Sequence, residues 1–254
     1  LFLGHGSPMN AIEENQFVRG FREISKKIPT PNAILCISAH WFTKGTFVTS
    51  GEIQKTIHDF YGFPPELFAV EYPAKGNPEL AKETAELLAP TSVIETESWG
   101  LDHGAWSVIR HLYPEAQIPV IQMSIDYTQP AQYHFDLAKK LQKLREKGIL
   151  IIGSGNVVHN LRMIDWKNIN TVGAGWDWAI EARAKTNEWI LDGNFQNLIH
   201  FEKQGTALQN AIPTPDHYLP LIYTLGLKEK SEEISLFNDE LIGGSLSMTS
   251  VKVG

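Results

Sequence analysis

Of the 254 residues, nine are histidines, and where they stand points to chemistry. His5 follows Leu1-Phe2-Leu3-Gly4. His40 follows Ala33-Ile34-Leu35-Cys36-Ile37-Ser38-Ala39. His159 follows Ile149-Leu150-Ile151-Ile152 and the small, polar stretch Gly153-Ser154-Gly155-Asn156. Each apolar run reads as a buried strand, too short for a helix. Three strands that each deliver an imidazole at or beyond their carboxyl ends place those rings where open α/β sheets bind ligands. Taken one at a time, each is equally well a hydrogen-bonded histidine at a strand end; together they point to one shared site. His217 falls in the first turn of a helix that starts at Thr214 as N-cap with Pro215 at N1, where the positive end of the dipole favours the neutral, metal-binding ring. His103 stands beside Asp102 in a glycine-rich loop that opens another helix. Clustered imidazoles suit zinc and iron, and a histidine/carboxylate face with open positions suits non-heme Fe(II) oxygen chemistry.

Other motifs narrow the reading. No His-Glu-x-x-His is present, and Gly153-Ser154-Gly155 lacks the Lys-Ser/Thr of a phosphate loop. No Gly-x-Ser-x-Gly elbow joins a strand to a helix. His58, in the aromatic loop Thr56–Pro65, is placed to touch a substrate, as are Trp41 and Tyr218 beside site histidines; packing is the alternative for each. His111, His134 and His200 read as packing or helix-surface residues, and Cys36 as a small core residue.

The elements that must position these residues alternate between strand and helix. Strands are expected at 1–5, 33–40, 45–50, 92–95, 120–125, 149–153, 234–237 and 245–253. Helices are expected from Phe17 to Pro29, through Leu88 from Pro78, up to Tyr113, and over 130–147, 176–191 and 194–210. That alternation implies a mostly parallel, covered sheet, with the last two strands antiparallel. The expected fold class is α/β, a single three-layer α/β/α domain over residues 1–254 around a mostly parallel mixed sheet.

Composition sets the outer limits. Hydrophobic residues make up 43% and charged residues 20%, an ordinary globular balance. A net charge of -7 without a basic run argues against nucleic acid or an anionic membrane as partner. No apolar run approaches the ~20 residues of a membrane span, and no leader peptide is read. One cysteine excludes an internal disulfide framework or a thiolate metal cluster, so a cytoplasmic location is expected.

Several segments, in this order, resemble the class III extradiol ring-cleavage dioxygenases, in particular their DOPA 4,5-dioxygenase-like subgroup. They are Gly4-His5-Gly6-Ser7-Pro8-Met9, Ser38-Ala39-His40-Trp41, Thr56-Ile57-His58-Asp59-Phe60, Gly100-Leu101-Asp102-His103-Gly104-Ala105-Trp106, Ser154-Gly155-Asn156-Val157-Val158-His159-Asn160 and Pro215-Asp216-His217-Tyr218-Leu219-Pro220-Leu221. The resemblance covers nearly the whole chain. It implies a catechol such as L-DOPA and O2 as reactants and a mononuclear metal held by His5, His40 and His217. His217 stands where better-known members use glutamate. It further implies His159 as the acid/base residue, able to act as a fourth metal ligand, and His103 as a second catalytic histidine. Fe(II) is expected for activity. Three neutral ligands select it weakly, so Zn(II) is expected in the same site of purified protein. A zinc-dependent hydrolase using the same histidines is the competing expectation.

Overall fold

The computed structural model describes residues 1–254. Strand β1 (Phe2–Gly4) leads through a short 3-10 turn to α1 (Gln16–Ser25). The side chain of Asn15 caps α1 by accepting the amides of Phe17 and Val18. Next come β2 (Ala33–Thr43), β3 (Thr46–Thr49), α2 (Pro65–Phe68), α3 (Pro78–Leu87), β4 (Val93–Thr96), α4 (His103–Leu112) and β5 (Val120–Asp126). The chain continues through α5 (Ala131–Arg145), β6 (Ile149–Gly155), α6 (Asp177–Leu191), α7 (Phe195–Ile199), α8 (Thr206–Ala211) and α9 (Leu219–Gly226). It ends with β7 (Ile234–Phe237), β8 (Leu241–Ile242), β9 (Leu246–Ser247) and β10 (Ser250–Val253). No helix is long and apolar enough to cross a membrane.

Eight strands form one sheet in the order β4-β3-β5-β2-β6-β1-β10-β7. The central four, β5, β2, β6 and β1, are parallel; β10 is antiparallel to β1 and β7 to β10. Period-two alternation sends the side chains of each strand to two cores. Phe2, Leu35, Ile37, Met123 and Ile151 face the layer of α3, α5 and α9. Leu1, Leu3, Ile34, Cys36 and Ile152 face α1 and α4. This is the expected three-layer α/β arrangement.

Boundaries differ from the sequence expectation in informative ways. The span 194–210 is not one helix: Gly205, at φ 93°, separates α8 from α7 and a 3-10 turn. The final strand also divides. Its first half, β9, pairs with β8 in a separate two-stranded sheet, and its second half joins the main sheet as β10. β2 runs past His40 to Thr43, and its register against β5 shifts between Ile37 and Phe42. Such irregularities re-aim side chains near functional sites.

One core histidine has a pH consequence. His134 is fully buried on α5, with its Nδ1 2.9 Å from the Tyr223 hydroxyl on α9. Burial pushes its pKa down to about 4. The unfolded chain takes up this proton near pH 6.5 and the folded chain only near 4, so stability is lost as pH falls between those values. From pH 7 to 5 the loss assigned to His134 is about 2 kcal/mol. Unfolding free energies from urea titrations at the two pH values should differ by that much less in His134→Gln than in the parent.

Candidate metal centre

The alternation that builds the core also aims the histidines. On β1, Leu1 and Leu3 face α4, and His5 continues that side. On β2, Ile34 and Cys36 do the same, followed by Ser38, whose hydroxyl bonds Asp102 at the start of α4, and by His40. Both rings therefore emerge at the carboxyl edge of the sheet, beside the first turn of α4, where His103 stands. His5, His40 and His103 each offer a ligand atom within 4.8 Å of the others. The His5 and His40 Nε2 atoms face each other at 3.3 Å.

His217 joins them by a different route. It lies in the turn before α9 and not inside a helix begun at Pro215; the helix itself starts at Leu219. The amides of Tyr218 and Leu219 both bond the Pro215 carbonyl, and this turn sets the rings' approach. At the end of β6, the Asn156 amide donates to the His217 carbonyl at 2.9 Å. A Cβ on Gly155 would lie 2.1 Å from that same oxygen, so only glycine lets the two segments meet. The His217 ring centroid is 4.9 Å from that of His40 and 5.3 Å from that of His5. His159, beyond the end of β6, stacks on His217 with centroids 3.5 Å apart and planes 6° apart. Five of the residues singled out in the sequence thus converge on one place.

The hydrogen-bond partners determine which nitrogen each ring presents. The Ser154 hydroxyl donates its single proton to the Gly104 carbonyl, so it must accept from His5 Nδ1, 2.9 Å away. His5 Nε2 is then a lone pair. Asp216 lies against His217 Nδ1 and has the same effect there. Asp59 sits 3.4 Å from His40 Nδ1 and, obliquely, 3.0 Å from His103 Nδ1. Carboxylate or hydroxyl acceptors on Nδ1, with Nε2 left open, are the arrangement that metal-binding imidazoles adopt.

Electrostatics favour neutral rings. Burial, followed by the neighbouring histidines, lowers the pKa values of His5 and His40 well below the ordinary range. Burial and then His217 bring His159 down to about 3. Burial tends to raise the Asp59 pKa, but the hydrogen bond and charge of His103 outweigh it and hold the carboxylate ionised. Asp102 goes the other way: burial and the Asp59 charge lift it to about 6, although Ser38 and Gln122 bond it. Its Oδ1 also caps α4 by accepting the Ala105 amide. Desolvated, neutral nitrogen lone pairs turned toward a common point fit a divalent metal of the zinc or iron type.

The residues considered for substrate contact fall in different places. His58 Nε2 donates to the Val70 carbonyl at 2.9 Å, and its ring packs against Phe60, Phe68 and Trp106. Trp41 stacks on Trp99 at 5.6 Å. Tyr218 is buried, with its hydroxyl donating to the Leu198 carbonyl. Phe60 is the aromatic ring that meets a site histidine, 5.5 Å from His103. Sequence reasoning passed over both Asp59 and Phe60. Their signal was adjacency: Asp59 follows His58 inside one of the motif segments.

Comparison with known proteins identifies the family. The model of a family described as the catalytic LigB subunit of aromatic ring-opening dioxygenase matches residues 1–246. The chain is 45% identical to the 4,5-DOPA dioxygenase extradiol of Escherichia coli (strain K12), covering 100% of this chain and 94% of that protein. It is 35% identical to the 4,5-DOPA dioxygenase extradiol of Beta vulgaris, over 99% and 94% of the two chains. A crystal structure of the uncharacterized protein JW3007 from Escherichia coli K12 superposes with a TM-score of 0.84 at 40% identity, covering 100% of this chain and 98% of that one. With a full-length α/β match and a histidine centre at the carboxyl edge of its sheet, the chain belongs to the LigB family of aromatic ring-opening dioxygenases.

Proposed function

We propose that this dioxygenase performs extradiol cleavage of a catechol such as L-DOPA, with His5, His40 and His217 as metal ligands and Fe(II) as the working metal. The observation that carries the metal site is the set of Nδ1 partners, which leaves an Nε2 lone pair on each of these rings and on His103. The choice of His217 as third ligand follows the resemblance of its segment to the family's. Support for L-DOPA as substrate comes from the relatives' names. When bound, Fe(II) supplies coordination sites for catechol and dioxygen and the electron transfer between them, which redox-inert Zn(II) lacks. Zinc nevertheless fits an all-imidazole donor set and is expected in protein purified without added iron.

The remaining two histidines handle protons. A catechol must lose protons to bind as a chelating anion. His159, neutral and stacked on His217, is placed to take one. Burial keeps its ring neutral, so it carries a lone pair that can accept a proton. An anionic substrate beside it would raise its basicity. His103, with its Nδ1 turned to Asp59, offers Nε2 as a second acceptor and returns a proton to the opening ring. His159 would serve as a fourth ligand only by turning out of its stack on His217. Phe60 forms part of an aromatic wall next to His103.

The test is oxygen uptake after anaerobic metal removal and reloading with Fe(II) or Zn(II), with L-DOPA and simple catechols. Uptake with iron alone, together with a yellow ring-opened semialdehyde, is expected. Turnover that runs on Zn(II) without consuming oxygen would overturn the reading in favour of a hydrolase.

A further inference from the structure

Asp59 is the one carboxylate in the site whose ion-pair partners are two histidines from different elements. Its Oδ2 lies 3.4 Å from Nδ1 of His40 on β2, and its Oδ1 lies 3.0 Å from Nδ1 of His103 on α4. The same Oδ1 accepts the His103 backbone amide at 2.8 Å. No lysine or arginine pairs with it, and its side chain is only 18% exposed. A largely buried carboxylate without a cation is costly unless hydrogen-bond donors satisfy it. Here the first amide of a helix donates to it, and two ring Nδ1 atoms lie within 3.4 Å, that of His103 meeting Oδ1 obliquely.

The loop that carries Asp59 is pinned on both sides. The Ile57 amide bonds the Leu101 carbonyl and the Leu101 amide bonds the Lys55 carbonyl, each at 2.8 Å. Trp106 Nε1 donates to the Ile57 carbonyl at 2.8 Å, and His58 ties the following residues to Val70. The carboxylate is therefore held in place by the fold and does not merely follow the rings.

We propose that Asp59 is a positioning residue that holds His40 and His103 together in the Nδ1–H tautomer, so that one carboxylate turns Nε2 of a metal ligand and Nε2 of a proton-transfer histidine toward the same point. The ligand role of His40 in this statement rests on the proposed metal site. A carboxylate only accepts hydrogen bonds, so it selects the ring nitrogen that carries hydrogen. Both Nε2 atoms are then lone pairs. His103 consequently starts as a proton acceptor and can donate only after it has taken a proton up.

Long-range proton–nitrogen NMR of ¹⁵N-histidine-labelled, metal-free protein reads each tautomer directly, with His40→Gln and His103→Gln supplying the assignments. The parent should show Nδ1–H on both rings. Asp59→Asn keeps the shape but replaces one acceptor oxygen with a donor, so at least one ring should change to Nε2–H. Zn(II) affinity should then fall about 10–100-fold, the usual cost of losing such an outer partner. Nε2–H on either ring of the parent would overturn the proposal, even if the variant fails to fold. Unchanged tautomers in a folded Asp59→Asn would overturn it as well. The tautomers are read without metal, so they decide the role of Asp59 independently. A parent protein that takes up no Zn(II) would instead strike down the metal reading.

Discussion

His40→Ala is expected to empty the metal site while leaving the fold standing. The His40 side chain is 20% exposed, and Ile34, Cys36 and the other β2 core residues beneath it are untouched. Its loss removes one Nε2 donor from a pair 3.3 Å apart and leaves His5 facing a gap. Outer-sphere partners alone cost 10–100-fold in affinity, so losing a direct ligand should cost more than ~100-fold. The measurement is metal content after dialysis against a weak chelator, read beside a urea midpoint. Ring cleavage should vanish with the metal. A variant that retains a full equivalent at parental affinity would remove His40 from the ligand set and leave His103 and His217 to complete it.

His159→Ala should separate binding from chemistry. His159 stacks on His217, while the Nδ1 partners of the three proposed ligands are Ser154, Asp59 and Asp216, so the ligands keep those contacts without it. The bound metal should stay near one equivalent. Turnover should fall about 10²–10⁴-fold, the usual worth of a positioned general base. The loss should sit in kcat, because the substrate still has its metal to bind. Unchanged turnover would exclude His159 from proton transfer. A parallel loss of metal would make it a resident fourth ligand instead.

Much of this centre was legible in the chain itself. Period-two burial on β1 and β2 follows directly from Leu1, Leu3 and Ile34, Cys36, and it sends His5 and His40 to one face. Short apolar runs bounded by glycine and proline marked the central strands, because burial on both faces requires continuous hydrophobic sequence. The match of the motif segments pointed to the family, and the comparisons bear that out.

The contacts between segments distant in the chain were decided by tertiary structure. His217 reaches the site because Gly155 admits its carbonyl to within a Cβ's radius, a relation between residues 62 positions apart that no local pattern encodes. The helix expected at Pro215 begins at Leu219, since the preceding turn is spent on bringing the histidine to β6. Asp59 stood inside a motif segment, but only folding sets it between His40 and His103. Nor can a sequence state a tautomer, which depends on what stands opposite each Nδ1: Ser154 for His5, Asp59 for His40 and His103, Asp216 for His217. Residue type and alternation determined which imidazoles could gather at the sheet's edge. Which nitrogen each one offers was decided by packing, because the acceptors that select it come from other strands, loops and helices.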